Sequence, residues 1–488
     1  MSPSPAEAEP ARRPYWLLPV LAVLLVIPHA WAIGGLVAAG LGRVMLGAVR
    51  RGHTRRARLA AERGASGSTV LGTAGSGEPI LLSDRQLSAH GLILGASGAG
   101  KSTTLLTILT DHVRRGRPVI AIDMKGSPAF ASELARAAAD SGRPFRLWTP
   151  DGPGLWNPLQ HGNATELKDK LIATERFTEP HYQRAAERYV QTVLQVLQAG
   201  HPERAPTIHD VVRMMDPRAM SRELRYVPRP LAERVQDYVA GLTPDQISAI
   251  RGLGTRLAIV SESHTGRFLG PGDTLDGGAG VQTIDVRSAL AGNEVVLFSL
   301  NSSTYGKLSA QLGTLAIQDL VSAVGHRLGL PDRDPALIGI DEFSALGADH
   351  VISLLARGRE AGISILLATQ ELADLDRAAR GLRDQVLGNT AVKIVHRQDV
   401  PASAQTIAQM AGTEKAWEQT YQVGRGPLLG RYDTGRGTRR QVEQFVVHPN
   451  EIKALSTGRA VVITKLPTAR ARTVRISPPR RRDGPEVG

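Results

Sequence analysis

The sequence contains no cysteine, which excludes disulfide bonds, thiolate metal sites and cysteine nucleophiles. The central part of the chain also has little net charge. Of the formal +13, residues 1–63 supply +6 and residues 466–488 supply +4, so the 402 residues between them carry only +3. This distribution excludes a uniformly basic nucleic-acid coat and indicates a near-neutral body with basic ends. A chain of 488 residues exceeds one ordinary core, so we expect two or three folded units.

Residues 15–49 lack charge apart from Arg43, and they follow a short N-terminal tail, residues 1–14. About 20 apolar residues span a bilayer, so this run predicts a transmembrane segment. Pro28 marks either a kink in one span or the turn of a short hairpin, and both alternatives stay open. The arginine-rich residues 50–58 place the following chain in the cytoplasm by the positive-inside rule. They either serve topology and anionic lipid alone or also contact DNA.

The cytoplasmic chain begins with a basic juxtamembrane segment and a glycine-rich linker, together residues 50–78. Beyond it, continuous apolar runs predict strands buried on both faces, and hence an α/β fold with a mostly parallel sheet covered by helices. These runs begin near residues 91, 118, 294, 336, 363, 391 and 459. They predict a nucleotide-binding domain in two parts, residues 79–162 and 258–467, followed by a basic disordered tail, residues 468–488.

Residues 163–257 break the strand rhythm and predict an all-α insertion. In Gln183–Gln198, apolar residues recur with helical spacing and define one face. That face consists of Ala186, Tyr189, Val190, Val193, Leu194 and Leu197.

The stretch Leu92–Thr104, "LILGASGAGKSTT", contains the pattern G-x-x-x-x-G-K-[ST] between a strand and a helix. Glycines let backbone N–H groups approach phosphates, Lys101 neutralises the β and γ oxygens, and Ser102 is a magnesium ligand. The sequence therefore predicts a nucleotide-binding loop for ATP and Mg²⁺. Its binding residues are Gly95, Ala96, Ser97, Gly98, Ala99, Gly100, Lys101, Ser102 and Thr103.

Hydrolysis also requires a carboxylate for the metal and a group that activates water. The run "LIGIDEF" ends a predicted strand at Asp341 and Glu342, which we interpret as magnesium ligand and general base. The next strand ends at Gln370, a polar sensor of the γ-phosphate or a simple turn residue. Arg359 precedes that strand and is either a finger that reaches a neighbouring subunit's phosphate, a solvated charge or a DNA contact.

These blocks, with "VIAIDMKG", "WNPL", "GIDEFSALG", "GREAGISILLATQ" and "VHPNEIKALSTGRAVV", resemble the type IV coupling proteins of the TraG/TraD family and the wider HerA/FtsK group. The resemblance covers about residues 15–470. It implies a RecA-like hexameric ring at the cytoplasmic membrane, with the ATPase domain in the cytoplasm. The ring would pump DNA, in single-stranded form with its relaxase, toward secretion channel components.

The resemblance also assigns residues. Arg359 matches the family's arginine finger and Gln370 its sensor glutamine, while Arg397 matches a second phosphate-reaching arginine less securely. Asp123 and Lys125 match the "DPKG" block, in which Met124 of this chain replaces the usual proline. That replacement leaves a fixed turn at this point in doubt.

Two other functions remain open. An FtsK-like chromosomal pump keeps the same motor but usually adds a C-terminal winged helix, and only 23 residues follow Lys465. A membrane scaffold for protein cargo would use nucleotide only as a switch, although an intact Lys101, Asp341 and Glu342 argue for a working motor. An ABC-type exporter fits poorly because no "LSGGQ"-like signature lies between the phosphate loop and Asp341. The tail arginines either bind DNA nonspecifically or stay solvated.

Overall fold

The structure is a computed structural model that describes residues 67–480, apart from residues 176, 178, 271–281, 332, 347 and 427–429. The predicted transmembrane segment, residues 15–49, and the basic cluster after it lie outside the described residues. Among the helices of the described ranges, none combines the length and apolar character needed to cross a bilayer. The chain divides into two compact units, and the second, residues 65–76 with 80–488, contains the described residues other than 77–79.

Fifteen strands are present in the described residues, and eleven of them form one mixed sheet. The strands are β1 (Ser68–Ala74), β2 (Pro79–Ser83), β3 (Gly91–Leu94), β4 (Val119–Asp123), β5 (Phe145–Trp148), β6 (Leu155–Trp156), β7 (Thr283–Ile284), β8 (Val295–Ser299), β9 (Ala336–Asp341), β10 (Ile363–Thr369), β11 (Val392–Val395), β12 (Thr413–Gly426), β13 (Gly430–Phe445), β14 (Arg459–Thr464) and β15 (Arg470–Ile476).

The large sheet has the order β2-β1-β15-β14-β11-β3-β10-β9-β4-β8-β5. From β11 to β5 all neighbours are parallel, whereas β14, β15 and β1 continue the sheet in antiparallel pairing. The seven strands predicted from continuous apolar runs are β14, β11, β3, β10, β9, β4 and β8, and they are neighbours in the sheet. The predicted α/β class is therefore confirmed, because these strands are the ones buried on both faces.

Helices cover both faces of the sheet and fill the stretch between β6 and β7. They are α1 (Asp84–Leu87), α2 (Lys101–Arg114), α3 (Pro128–Asp140), α4 (Ala164–Ile172), α5 (Pro180–Gly200), α6 (Ile208–Met214), α7 (Pro217–Glu223), α8 (Arg229–Ala240), α9 (Pro244–Ser261), α10 (Val286–Ala291), α11 (Ser302–Tyr305), α12 (Lys307–Leu328), α13 (Ala348–Gly358), α14 (Leu372–Ala378), α15 (Leu382–Asn389), α16 (Pro401–Ala411) and α17 (Pro449–Lys453). Short 3₁₀ turns lie at Leu224–Tyr226, His264–Phe268 and Phe343–Ala345.

The stretch predicted as an all-α insertion contains α4 to α9 in its described residues, and α9 runs on to Ser261. The predicted apolar face of α5 is confirmed, since all six of its residues are buried. This face packs into the same apolar cluster as strand residues such as Ile338 and Ile340. The helices therefore form a layer that shares the core of the sheet, and their status as a separate domain stays a prediction.

Two boundary predictions are wrong. The predicted linker contains β1, whose Gly72–Ala74 pair with residues of β15, and the predicted disordered tail contains β15 itself. Both strands were missed because they lack a continuous apolar run: three of the seven residues of β1 and two of the seven residues of β15 are buried. The pairing joins the first and last strands of the described chain, and β2 lies outside them at the edge of the sheet.

A long hairpin, β12 and β13, was not predicted at all. It forms a two-stranded sheet apart from the large one, with pairing from Thr413↔Phe445 to Gly426↔Gly430 and a register shift after Tyr421. Where its side chains are described they are mostly exposed, including Trp417. Its sequence lacks buried apolar alternation, which is why period-2 patterning gives no signal there.

Candidate nucleotide-binding site

The strand register aligns four strand ends at one edge of the sheet. Leu94 pairs with Thr369, Ala368 pairs with Asp341, and Asp341 pairs with Asp123. Because these strands are parallel, the residues that follow them meet in one crevice, the usual ligand position in open α/β sheets. Strand β10 lies between β3 and β9, so the residue after it faces both the phosphate loop and the carboxylates.

The loop after β3 leads directly into helix α2, which begins at Lys101. Gly98 and Gly100 adopt φ values of 72° and 117°, in the left-handed region that glycine tolerates without strain. The Lys101 ammonium donates to the Gly95 carbonyl at 2.6 Å, so its side chain folds back over the loop. A loop that curls around a lysine at a helix N-terminus presents N–H groups and positive charge to an anion such as phosphate.

Neighbouring segments hold this loop in shape. The amide of Gly95 donates to the Gln370 carbonyl at 3.3 Å, and the amide of Ala96 donates to the Arg397 carbonyl at 2.9 Å. A Cβ added at Gly95 would lie 2.6 Å from the Cβ of His396, so packing rather than backbone conformation requires glycine there. The loop is therefore fixed by the residues that follow β10 and β11.

His396 lies behind the loop and is fully buried. Its Nδ1 lies 3.0 Å from the Arg459 carbonyl, which assigns the ring proton to Nδ1, and its Nε2 lies 2.8 Å from the Thr104 hydroxyl. Burial lowers the pKa of His396 to about 4, and the nearby charge of Lys101 acts in the same direction. A neutral His396 thus supports the first turn of α2 without adding a second positive charge.

Asp341 ends β9 and is 1% exposed. Its Oδ2 accepts a hydrogen bond of 2.7 Å from the Ser102 hydroxyl, whereas its buried Oδ1 has no hydrogen-bond partner among the described residues. A hydroxyl and a carboxylate oxygen in contact are ligands that Mg²⁺ prefers, and the unpartnered Oδ1 is the kind of atom a cation satisfies. Ser102 and Asp341 therefore fit a magnesium ion held together with phosphate oxygens.

Glu342 lies at the centre of the site. Its backbone adopts φ 57° and ψ 44°, a left-handed conformation uncommon for a residue with a side chain and found where surroundings over-determine it. Its Oε1 accepts hydrogen bonds from Lys125 Nζ at 2.7 Å and Gln370 Nε2 at 3.2 Å, and it lies 3.9 Å from Lys101 Nζ. The two lysines and the glutamine together hold one carboxylate in place.

The two lysines differ in their pKa values. Burial lowers the pKa of Lys101, against the opposing effect of Glu342. Burial also acts to lower the pKa of Lys125, but its hydrogen bond to Glu342 and the charge of Asp341 outweigh it, so the net pKa is raised. Lys125 and Lys101 thus place two nitrogen groups against the same carboxylate oxygen, Oε1 of Glu342.

A fixed turn does follow β4, although Met124 stands where the similar family has proline. The Asp123 carboxylate accepts from the amides of Lys125 at 2.9 Å and Ser127 at 2.6 Å. Gly126 has φ 69°, and a Cβ there would lie 2.6 Å from Asn301. Burial raises the pKa of Asp123, which is fully buried. The doubt about this turn is thus resolved: Asp123 and Gly126 form it without proline, and it delivers Lys125 to Glu342.

The structure does not bring Arg359 to this crevice. Arg359 is exposed and precedes β10, so it lies at the opposite end of the strand from Gln370. Its charge acts instead on His90, whose pKa burial lowers to about 4. Arg397 is adjacent to the loop through its carbonyl, and its side chain pairs with Asp399 at 3.0 Å. Within one chain the site therefore consists of Lys101, Ser102, Lys125, Asp341, Glu342 and Gln370.

Sequence reasoning missed His396 and gave Lys125 no role beyond a motif match. The signal that could have identified His396 is its position directly after the buried strand in "AVKIVHR", where the other site residues also follow strands. Lys125 reaches Glu342 only through the turn at Asp123 and Gly126, and nothing in the local sequence shows where that turn points.

The fold and this constellation define an α/β protein of the P-loop NTPase class. A family model described as "TraM recognition site of TraD and TraG" matches residues 335–457, and an FtsK/SpoIIIE family model matches residues 54–129. A sequence comparison with curated proteins finds no match.

Several solved structures share the fold. The unbound bacterial conjugative coupling protein TrwBdeltaN70 is 14% identical, with a TM-score of 0.59 over 84% of this chain and 88% of that chain. TrwB in complex with ADP and Mg²⁺ is 14% identical, with a TM-score of 0.56 over 84% and 90%. VirB4 of Thermoanaerobacter pseudethanolicus is 14% identical, with a TM-score of 0.55 over 84% and 96%. The two family models together with the shared fold of TrwB confirm the resemblance to the type IV coupling proteins.

Proposed function

We propose that this chain is a membrane-anchored ATPase that moves DNA as the coupling protein of a conjugative or type IV secretion system. The observation that carries the proposal is the arrangement of Glu342 between Lys101, Lys125 and Gln370, next to the Ser102–Asp341 pair. Such a carboxylate serves water activation, and so it supports hydrolysis of the nucleotide rather than binding alone.

ATP with Mg²⁺ is the nucleotide we propose. TrwB, whose fold this chain shares, has been solved with ADP and Mg²⁺ and with a non-hydrolysable ATP analogue. Ser102 and Asp341 would hold Mg²⁺, which would supply positive charge against the charge that develops on the phosphates. Lys101 stabilises the β and γ oxygens, Glu342 accepts the proton of the attacking water, and Gln370 orients Glu342 toward that water.

The exposed position of Arg359 supports assembly of several subunits into a ring. We propose that the chain assembles as a homo-hexamer in which Arg359 reaches the phosphates of the neighbouring subunit. It is exposed at the sheet edge away from its own site, as a residue acting in trans requires. Single-stranded DNA with its relaxase and the secretion channel are the proposed partners. The match to a "TraM recognition site" supports a further protein contact within residues 335–457.

An FtsK-like chromosomal translocase is the second candidate, and the FtsK/SpoIIIE match at residues 54–129 favours it. That match covers the phosphate loop shared by both classes, whereas residues 335–457 match the TraD and TraG model. Coupling therefore remains the leading proposal. A conjugation assay in the native host separates the two: loss of plasmid transfer with normal chromosome segregation in a Glu342→Gln strain supports coupling.

ATP hydrolysis by the purified full chain tests the motor itself. We expect hydrolysis stimulated by single-stranded DNA, and in Glu342→Gln a loss of turnover of roughly a hundredfold or more with nucleotide binding retained. A matched control is Glu360→Gln, an exposed glutamate outside the crevice, which should hydrolyse ATP normally. No DNA stimulation in the native chain, with normal ATP binding, contradicts the translocase proposal.

A further inference from the structure

The β12–β13 hairpin forms a long two-stranded ribbon. Its strands contain 14 and 16 residues, so at about 3.3 Å per residue the ribbon spans on the order of 40 Å. Its base joins the fold through Phe445, which packs against the main apolar cluster. An isolated two-stranded hairpin is at best marginally stable in water, so core packing does not account for a ribbon of this length.

The far part of the hairpin concentrates positive charge. Residues 421–440 contain one acidic residue, Asp433, and five arginines, which are Arg425, Arg431, Arg436, Arg439 and Arg440. Their net charge of +4 exceeds the +3 of the whole body, residues 64–465, so the rest of that body is slightly negative. A local excess of positive charge attracts a polyanion to the hairpin.

The strand register brings two of these arginines together near the turn. Arg425 pairs with Arg431, and Gly426 pairs with Gly430 beside them. Like charges directly opposite each other destabilise a strand pair, so this end of the hairpin favours an anion that offsets both charges. Charged residues on exposed strands also disfavour edge pairing with another chain, which argues against a second copy as the occupant.

Trp417 gives one face of the hairpin an aromatic surface. Side chains alternate between the two faces, and the register places Gln419 opposite Arg439, so Trp417 and Arg439 share a face. The Arg439 guanidinium lies 4.5 Å from the centre of the indole ring, and Trp417 is 55% exposed. Lys415 and Glu443 pair nearer the base of this face and offset each other. An exposed indole beside a cation is a stacking surface for a base next to its phosphate.

We propose that the β12–β13 hairpin binds single-stranded DNA, with the arginines of residues 421–440 at the phosphates and Trp417 stacked on a base. The proposal rests on the proposed function and adds to it a surface that takes the DNA. A single strand fits better than a duplex, because the bases of a duplex are stacked on one another and leave the indole no partner. Stacking accepts every base, as movement along a strand of any sequence requires.

Removal of charge tests the phosphate contacts. In the purified full chain with Arg425→Gln, Arg431→Gln and Arg436→Gln together, we expect affinity for a fluorescein-labelled oligothymidylate to fall roughly tenfold to a hundredfold, measured by fluorescence anisotropy. The slope of log affinity against log salt should become smaller by about 2, since each phosphate contact on a single strand contributes about 0.7. The matched control replaces with glutamine three exposed arginines from different parts of the fold, Arg85, Arg222 and Arg380. It should keep the native slope.

Removal of the indole tests the stacking. Trp417→Ala should weaken oligothymidylate binding about fivefold to a hundredfold and leave the salt slope unchanged, because stacking releases no counterions. Affinity for a duplex of the same length should stay native. Trp417→Phe keeps an aromatic ring and should recover most of the loss. Thermal unfolding of each variant shows whether it remains folded.

Three outcomes overturn the proposal. The first is a native salt slope in the triple arginine variant, and the second is equal weakening of single strand and duplex in Trp417→Ala. The third is native DNA binding in both variants with loss of plasmid transfer in the host, which would make the hairpin a contact for protein. In each of these the native chain still binds DNA, so the hairpin contact alone is contradicted. Failure of the native chain to bind DNA contradicts the proposed function as well.

Discussion

Two buried lysines face carboxylates in this molecule, and they differ in how completely their polar atoms are paired. The Lys170 ammonium donates to Asp319 Oδ1 at 2.8 Å and to the carbonyls of Pro158 and His161, each at 3.0 Å. The indole of Trp156 donates to Asp319 Oδ2 at 3.0 Å. All three ammonium protons and both carboxylate oxygens are therefore used, and the pair joins the "WNPL" block and α4 to α12.

The cluster around Lys101 is incomplete by comparison. Lys101 has one short hydrogen bond, to Gly95, and Asp341 Oδ1 has no partner among the described residues. Glu342 is held in a strained backbone conformation, which the Lys170–Asp319 cluster does not require. The Lys170–Asp319 pair is structural, because groups of its own chain use all of its hydrogen-bonding capacity. The cluster around Lys101 keeps unused capacity that suits phosphate and Mg²⁺.

Replacement of Lys101 is expected to give the largest effect, and on activity rather than folding. In Lys101→Ala we expect ATP hydrolysis to fall roughly a hundredfold to a thousandfold, because the variant lacks the charge that we propose stabilises the β and γ oxygens. The midpoint of thermal unfolding should stay close to that of the native chain, since Lys101 contributes few satisfied contacts. Steady-state hydrolysis and calorimetric unfolding measure the two effects. A strongly lowered unfolding midpoint would make Lys101 a structural residue and break the comparison.

Replacement of Lys170 is expected to show the reverse. Removal of one partner of a buried ion pair costs about 3–5 kcal/mol, because the other charge is left uncompensated. Lys170→Met should lower the free energy of unfolding by that order, measured by urea titration with tryptophan fluorescence. Lys170→Met combined with Asp319→Asn should recover about half of the loss, since it removes both charges and keeps an acceptor for Trp156. Hydrolysis per folded molecule should remain near native in both variants. An equal loss of unfolding free energy in the single and the double variant would contradict a stabilising Lys170–Asp319 ion pair.

These clusters also show what the sequence can predict. The strands at the sheet centre were predictable because burial on both faces makes their sequences continuously apolar, as in β10, where all seven residues are buried. Lys101, Ser102, Asp341, Glu342 and Gln370 could be placed at one sheet edge because each follows such a strand or the phosphate loop. Their shared position at one end of the strands depends only on the strands being parallel.

The rest depends on contacts between distant segments. Lys170 and Asp319 lie 149 positions apart on amphipathic helices, and each looks like an ordinary surface charge in sequence. Strands β1 and β15 pair with each other although most of the chain separates them in sequence, and neither has a continuous apolar run. Residues 477–480 were predicted as part of a disordered end for the same reason, although Ser477 bonds to Thr107 of α2 and to Leu71 of β1.

Gln370 is expected to have a smaller effect than Lys101, because it acts through Glu342. Loss of its hydrogen bond to a charged group, worth about 1.5–3 kcal/mol, predicts a fall in hydrolysis of about tenfold to 150-fold in Gln370→Ala. ATP affinity should change little, which a binding measurement beside the kinetics checks. Gln385→Ala is the control, because Gln385 is an exposed glutamine on α15, and its hydrolysis should stay native. A large loss of ATP affinity would mean that Gln370 holds the phosphate loop rather than the carboxylate.

Acidification is expected to give the smallest effect, through the neutral histidine behind the open site. Burial lowers the pKa of His396 to about 4, from an ordinary value of 6.5. Between these values the unfolded chain binds a proton that the folded chain does not, so stability is complete above pH 6.5 and declines as the pH falls toward 4. His396→Gln keeps a donor for Arg459 and an acceptor for Thr104 but cannot titrate. Its stability should therefore fall by about 1 kcal/mol less than that of the native chain between about pH 7 and pH 5.5. Urea titrations at both pH values measure the difference, and parallel losses in the two chains would show that His396 is already protonated in the fold.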